Sequence, residues 1–313
     1  MIFANLHDTS RHTVRATPVH HPYICLLLLV LSLTCGTALF AERAVTERIA
    51  SAPAPTPTRV ASESSSDDRV PPEIRKLREM LKESDPAFST ADVERVFPQI
   101  VPLVEKAAGR TFKKTPVWKI ANRQQVAEVL AADILPQLDN LLPNATPEQR
   151  REVGLKQAQS MAALMLGKYG FSDRTFYLLP RNFLPLFRVT KVPPSQVSSI
   201  LQLIIAHELT HALQDQEIGL LSKIANIRDN ETGLAFNATI EGHAVVTMEK
   251  VGHELGLASS VIEASKLFAA GSVTFDDPAL QMINKVMSSQ YESIYLGGKR
   301  FIEYWSQKSG PAM

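Results

Sequence analysis

The chain has 313 residues, a formal net charge of +1 and 45% hydrophobic residues. It is long enough to bury a full core, and its near-neutral charge gives no reason to expect a nucleic-acid partner. Both cysteines, Cys25 and Cys35, lie in one N-terminal apolar segment. The rest of the chain therefore has no thiol for a disulfide, a cysteine zinc site or nucleophilic catalysis. Any bound metal would have to use His, Asp or Glu.

The N-terminal segment, residues 1–41, has the pattern of a targeting element. Arg11 and Arg15 precede the uncharged run Tyr23–Ala41, which contains small residues suited to cleavage at Gly36–Ala38 or Leu39–Ala41. We therefore expect export, to a secreted, periplasmic or membrane-anchored location. The run is close to the roughly 20 residues that a membrane-spanning helix needs. Two outcomes stay open: a cleaved signal peptide, or a retained membrane tether through residues 23–41.

A change in composition separates this segment from the rest of the chain. Residues 42–72 are rich in Pro, Ser, Ala and Thr and contain few large apolar side chains. Such a stretch cannot offset the entropy lost on ordering, so it is predicted to be a disordered linker. The folded domain is predicted to cover residues 73–313.

Hydrophobic spacing within the domain is mostly helical. The predicted fold class is α+β, dominated by helices, with a small sheet beside the helix around residues 200–213. Pro98 and Pro102 are expected to kink or divide the second helix. The predicted helices before the central one are 73–83, 89–108, 123–142 and 147–168, the predicted strands are 115–121 and 174–179, and the later helices fall within 229–252 and 278–305.

The central helix carries the pattern His207-Glu208-Leu209-Thr210-His211. On a helix, His207 and His211 lie one turn apart on one face, so both imidazoles can reach one metal ion. Glu208 lies beside the open coordination position and is a candidate general base. The alternative is a surface helix with two solvated histidines. The apolar neighbours from Leu203 to Leu213 favour a buried helix, in which the polar groups need a partner such as a metal.

A third protein ligand has to come from elsewhere, and helical phase favours Glu241. Glu241 shares its predicted helix face with apolar and small residues, where a lone carboxylate is costly unless a cation accompanies it. His243 points roughly 200 degrees away, so only one of the two can face the metal. The remaining alternative is a Glu241 that reaches solvent or pairs with an arginine. The candidates on or just after the helix are Glu231, Glu241, His243, Glu249, His253 and Glu254.

Two motifs together resemble the gluzincin branch of the zincin metallopeptidases. They are the run from Ala206 to Gln216, AHELTHALQDQ, and the downstream run from Ile240 to Ala244, IEGHA. They look like the helices of bacterial secreted or lipoprotein-type proteins assigned as peptidases. The similarity covers roughly residues 110–305 and includes the turn and strand at 166–177. It would place the chain in a zincin-like fold that continues beyond Met313.

The resemblance implies that Zn²⁺ is bound by His207, His211 and Glu241, with Glu208 catalytic. It also implies that the strand at 175–179 lines the substrate cleft. Better-known gluzincins have an Asp one turn after the ligand Glu, but this chain has Val245 there. Asp215 or Asn237 could orient the ligands instead.

The reaction implied is hydrolysis of an amide bond in a peptide or protein, which needs a donor for the developing oxyanion. Tyr291, Tyr295, His253 and Arg300 come late enough in the chain to fold over the cleft, although each is a common structural residue type. Two other functional classes stay open. One is a catalytically weak or inactive zincin scaffold that acts as a binding protein. The other is a membrane-tethered maturation factor that acts on one partner.

Overall fold

The structure is a computed structural model that describes Arg75, residues 79–268, Ser289 and residues 292–309. The N-terminal segment, both cysteines and the linker at 42–72 fall outside these residues, as do residues 73, 74 and 76–78 of the predicted helix 73–83. The described helices are α1 Thr90–Ala108, α2 Arg123–Leu141, α3 Pro147–Ala162, α4 Pro180–Thr190, α5 Val197–Ile218, α6 Leu220–Ala225, α7 Asn230–Glu254, α8 Ala258–Phe268 and α9 Gly298–Ser309. A 3₁₀ turn, Pro194–Gln196, precedes α5, and a π-helix, Glu292–Gly297, leads into α9.

Three short strands form one mixed sheet: β1 Val117–Ile120, β2 Gly167–Gly170 and β3 Thr175–Leu178. Their order is β1-β3-β2. β1 runs parallel to β3, with Val117 opposite Thr175, and β2 runs antiparallel to β3, with Gly167 opposite Leu178. The predicted α+β class, helix-dominated with a small sheet, is confirmed.

Side-chain caps explain where three of the helices begin. Ser89, Asn122 and Thr146 each accept a hydrogen bond from a backbone N–H in the first turn of α1, α2 and α3, respectively. Each cap is completed by a side chain three residues later that binds back to the cap's own N–H. Helix α1 passes through both of its prolines without a break, so the expected division at Pro98 or Pro102 does not occur.

The predicted helix 147–168 is wrong in its last six residues. Helix α3 ends at Ala162, and the chain then enters strand β2. Gly167 lets β2 approach α5 closely, because an added Cβ would lie 2.8 Å from Ile204 Cγ2 and 3.2 Å from Glu208 Cγ. Pairing with β3 and this approach to α5 override the local helical pattern.

Helix α5 lies in the core of the domain. Every residue from Leu203 to Asp215 is buried, which agrees with the buried helix predicted from its apolar sequence. Helices α1 and α7 and strand β2 all pack on it. Among the described residues, no helix is long and apolar enough to cross a membrane.

A contact between glycines joins α7 to the C-terminal part of the domain. An added Cβ on Gly242 would overlap the backbone of Gly298, and one on Gly298 would overlap the carbonyl of Ala238. The close approach therefore requires the absence of side chains at both glycines. It seats the π-helix and α9 against the helix that carries Glu241.

Candidate metal centre

Three side chains converge where α5 meets α7. His207 and His211 lie one turn apart on α5, with their Nε2 atoms 3.2 Å apart. Glu241 of α7 places Oε2 3.1 Å from His207 Nε2 and 3.5 Å from His211 Nε2. Both histidines are buried, and Glu241 is partly exposed. Among the described residues, these three form the group that could hold a metal ion.

The spacing of the donor atoms suits a small divalent ion. Tetrahedral zinc with bonds of about 2.0–2.2 Å to His nitrogen and carboxylate oxygen places neighbouring donors about 3.3–3.6 Å apart. The three separations of 3.1–3.5 Å lie within a few tenths of an ångström of that range. Two imidazoles and one carboxylate also form a common donor set of catalytic zinc sites. The residues present therefore fit the expected ion.

The charges within the group influence one another strongly. Burial alone would raise the pKa of the Glu241 carboxyl, but the charge of His211 and hydrogen bonding with both histidines hold it well below its usual range. Burial alone would lower the pKa of His211, but the negative charge of Glu241 outweighs it, so the net shift is upward. The site thus keeps a carboxylate anionic in a largely buried position, as a cation site requires.

Glu208 lies on the same helix, beside the three donors. Its Oε2 accepts a hydrogen bond of 2.7 Å from the backbone N–H of Tyr169 in β2. The carboxylate lines the same cleft as the three donors. One oxygen is thus oriented by the backbone of a strand, while the carboxylate remains next to the space where a substrate would lie.

The cleft has a volume of about 1180 Å³, its open mouth included. Its walls are mainly apolar, and they also contain an ion pair in which Lys168 Nζ lies 3.1 Å from Asp133 Oδ2. Asp133 additionally accepts hydrogen bonds from the backbone N–H groups of Phe171 and Ser172, at 3.1 and 2.9 Å. This pair therefore holds the turn that follows β2.

The strand beside the cleft differs from the expected one. The resemblance placed 175–179 on the cleft, but β3 is the central strand of the sheet. The cleft is instead lined by Gly167 and Lys168 of β2. The edge position of β2, next to α5, explains why this strand contacts Glu208.

The hydrogen bonds of Asp215, one of the two residues expected to orient the ligands, go to groups other than the histidines. Asp215 Oδ1 accepts from the backbone N–H of Leu220 at 2.9 Å, and Oδ2 accepts from the Tyr169 hydroxyl at 3.3 Å. Asn237 lines the cleft. The residue against His211 is Gln214, with Oε1 2.9 Å from Nδ1. Its position three residues after His211, on the same helix face, is a signal that could have identified it.

The four candidates for an oxyanion donor differ in their burial and in their position relative to the cleft. Tyr295 of the π-helix is buried and lines the cleft. His253 is exposed in the last turn of α7, roughly 18 Å along the helix from Glu241. Arg300 is exposed on α9 and does not line the cleft. Neither residue lines the described part of the cleft, and Tyr291 lies outside the described residues.

The other residues considered as a third ligand either contact different partners or are exposed to solvent. His243 Nδ1 lies 3.0 Å from Gln214 Nε2, and burial together with the charges of His211 and Lys250 lowers the pKa of His243 to about 4. Glu249 pairs with Lys299 and Glu254 with Lys106, while Glu231 is exposed in the first turn of α7. Glu241 is the carboxylate that meets both histidines.

Comparisons with known proteins add little to this picture. No family model and no curated protein matches the chain. Among solved structures, it is similar to a Chloroflexus aurantiacus protein, described as a candidate hydrolase with a novel fold. The two are 16% identical, with a TM-score of 0.49, and the match covers 75% of this chain and 86% of that one. Function therefore has to be argued from the site itself.

Proposed function

We propose that this chain is an exported zinc-dependent peptidase that hydrolyses amide bonds in peptides or proteins. The observation that carries the proposal is the meeting of His207 Nε2, His211 Nε2 and Glu241 Oε2 at 3.1–3.5 Å in the wall of a cleft. A second carboxylate, Glu208, stands in the same wall. Zinc hydrolases need this combination of three ligands, a general base and open space.

His207, His211 and Glu241 would hold the zinc ion. A zinc ion bound there would supply Lewis-acid polarisation of the substrate carbonyl and lower the pKa of a bound water to about 7. All three ligands come from helices that pack on each other in the core. The site is therefore built on rigid elements, which favours fixed ligand geometry.

Glu208 would act as the general base and then as the general acid. Its Oε2 is held by the N–H of Tyr169, and its second oxygen is the atom that can take a proton from water in the cleft. Glu208 would return that proton to the departing amine, so the base is regenerated when the amide bond has been cleaved. The hydrogen bond from Tyr169 keeps the carboxylate in one orientation throughout.

The cleft supports a peptide as the substrate class. Its mainly apolar walls can bury uncharged side chains, and its Lys168–Asp133 pair is internally compensated. A backbone amide carries no net charge, so it can lie near Glu208 between apolar walls without the cost of burying a charged group. Export and a membrane tether through residues 23–41 belong to the same proposal, and they are supported by the sequence pattern alone.

The decisive experiment is Glu208→Gln in the purified protein. Gln is nearly isosteric and cannot take a proton, so hydrolysis of a quenched-fluorescence peptide library should fall by about 10²- to 10⁴-fold. Zinc content should stay at one equivalent, because Glu208 is not one of the ligands. The control is Glu217→Gln, which should leave activity unchanged. Glu217 is exposed near the end of α5, the helix that also carries Glu208, and its carboxylate pairs with Lys113.

Two results would contradict the proposal. Glu208→Gln with parental activity would show that Glu208 is not the base. A parental protein that binds zinc but cleaves no member of the library would favour the alternative of a zincin scaffold that acts as a binding or maturation protein.

A further inference from the structure

We infer that Gln214 is a positioning residue for the metal centre, holding His211 in the tautomer whose Nε2 is available to a metal ion. The inference depends on the metal centre and does not depend on hydrolysis. Gln214 is buried on α5, one turn after His211. It contacts three groups at hydrogen-bond distance, and together they leave its amide only one consistent orientation.

The first step is the direction of the Gln214 amide. Its Nε2 lies 2.9 Å from the carbonyl oxygen of Ile240. A carbonyl oxygen can only accept, so the group facing it has to be the amide NH₂. If the amide were flipped, two acceptor oxygens would meet in a buried position, which is costly. The backbone of α7 therefore determines that Oε1 faces His211.

The second step is the proton on His211. Gln214 Oε1 lies 2.9 Å from His211 Nδ1, and an amide oxygen can only accept. Nδ1 therefore donates, and in a neutral imidazole the lone pair is then on Nε2. That atom lies 3.2 Å from His207 Nε2 and 3.5 Å from Glu241 Oε2. The ring thus presents its free lone pair to the position where a metal would be held.

The third step gives a role to His243. The second hydrogen of the Gln214 amide points to His243 Nδ1, 3.0 Å away. Nδ1 of His243 therefore accepts, and both amide hydrogens are satisfied. The histidine that helical phase excluded as a ligand thus helps to hold the residue that orients a ligand.

The same amide also sets the position of Glu241. Ile240 precedes Glu241 on α7, so the hydrogen bond from Gln214 ties α7 to α5 at the turn that carries the carboxylate. One side chain therefore orients one ligand and helps to place another. A residue that only joined the two helices would not control the tautomer of His211, and this difference can be measured.

Zinc affinity is the first measurement, made by competition with a chromophoric chelator. Gln214→Leu removes all three contacts and should weaken zinc binding about 10- to 100-fold, as for other residues that support a ligand. The matched control is Gln216→Leu, on the same helix, where Gln216 instead binds the backbone of Lys113 and Lys114. Its zinc affinity should stay within about twofold of the parent. Equal affinities in the parent and Gln214→Leu would overturn the inference.

The second measurement is the tautomer itself, by long-range ¹H–¹⁵N NMR of the zinc-free protein, in which no metal ion occupies Nε2 of His211. The parent should show His211 protonated at Nδ1. Gln214→Leu removes the acceptor for that proton and should lose the preference. A parent with the His211 proton on Nε2 would overturn the inference, even if no variant folds. A parent that binds zinc in the expected tautomer but hydrolyses nothing would contradict only the proposed peptidase activity.

Discussion

The backbone N–H of Tyr169 donates a hydrogen bond of 2.7 Å to Glu208 Oε2, although the two residues are 39 positions apart. The bond joins the edge strand of the sheet to the helix that carries both histidines. A carboxylate held in this way has lost rotamer freedom before a substrate arrives, which is a requirement for an efficient base. The small sheet is therefore part of the site as well as part of the fold.

Glu241→Gln should weaken zinc binding, because it replaces an anionic ligand with a neutral one. The loss should reach about 100-fold or more, since residues that only support a ligand already cost 10- to 100-fold. Competition with a chelator measures it. Glu249→Gln on the same helix, where Glu249 pairs with Lys299 at 2.6 Å, should retain full affinity. Equal losses in both variants would indicate a general disturbance of α7 instead of a lost ligand.

Removal of the metal should lower the stability of the domain. An ion that binds only the folded state adds about 4 kcal/mol to the free energy of unfolding at a thousand times its dissociation constant. Thermal unfolding followed against free zinc concentration tests this. The double variant His207→Ala, His211→Ala should show no dependence on zinc. If its unfolding temperature rises with zinc as much as that of the parent, the ion binds elsewhere.

Tyr295→Phe tests the oxyanion candidate that lines the cleft. If its hydroxyl stabilises developing charge, its loss should lower kcat by about 10²- to 10³-fold with little change in KM. The ring remains, so burial and packing of the π-helix are kept. Tyr304→Phe, at an exposed position on α9, is the control. An unchanged kcat for Tyr295→Phe would show that the Tyr295 hydroxyl does not stabilise the oxyanion and that the side chain only lines the cleft.

Asp92 should make part of the free energy of unfolding depend on pH in the acid range. Hydrogen bonds from the backbone and side chain of Ser89, with a further one from Arg95, lower the pKa of Asp92 to about 2. The unfolded value is about 3.9, so the stabilisation is present above pH 4 and is lost as the pH falls through 2. The difference in unfolding free energy between the parent and Asp92→Asn should shrink over that range. Glu94→Gln, exposed on the same helix, should show no such change, and a constant Asp92→Asn difference would contradict the role of the cap.

The ligand set could be predicted because it depends on local helical geometry. The spacing of His207 and His211 places both on one face, and the phase of α7 distinguishes Glu241 from His243 without any tertiary information. The structure brings the three together as expected. The identity of the ion and the reaction remain part of the proposal.

The surroundings of the ligands could not be predicted in the same way. The sequence predicts a helix through the first two residues of β2, because the pairing of β2 with β3 and the approach of Gly167 to Ile204 involve distant parts of the chain. The sequence suggests that Asp215 could orient a ligand, but its hydrogen bonds go to Leu220 of α6 and Tyr169 of β2. Gln214 was within reach of local reasoning, but its contact with Ile240 depends on the packing of α7 on α5.

The contact between Gly242 and Gly298 has a consequence for the order in which the site is assembled during synthesis. Protein chains leave the ribosome from the N-terminus, so α5 and α7 emerge with all three metal donors before residues 292–298 emerge. Tyr295 can close its side of the cleft only when Gly298 has docked against Gly242. A nascent chain could therefore acquire its ion while the substrate cleft is still open on one side. Ribosome-bound chains of increasing length should bind zinc before they bind a peptide.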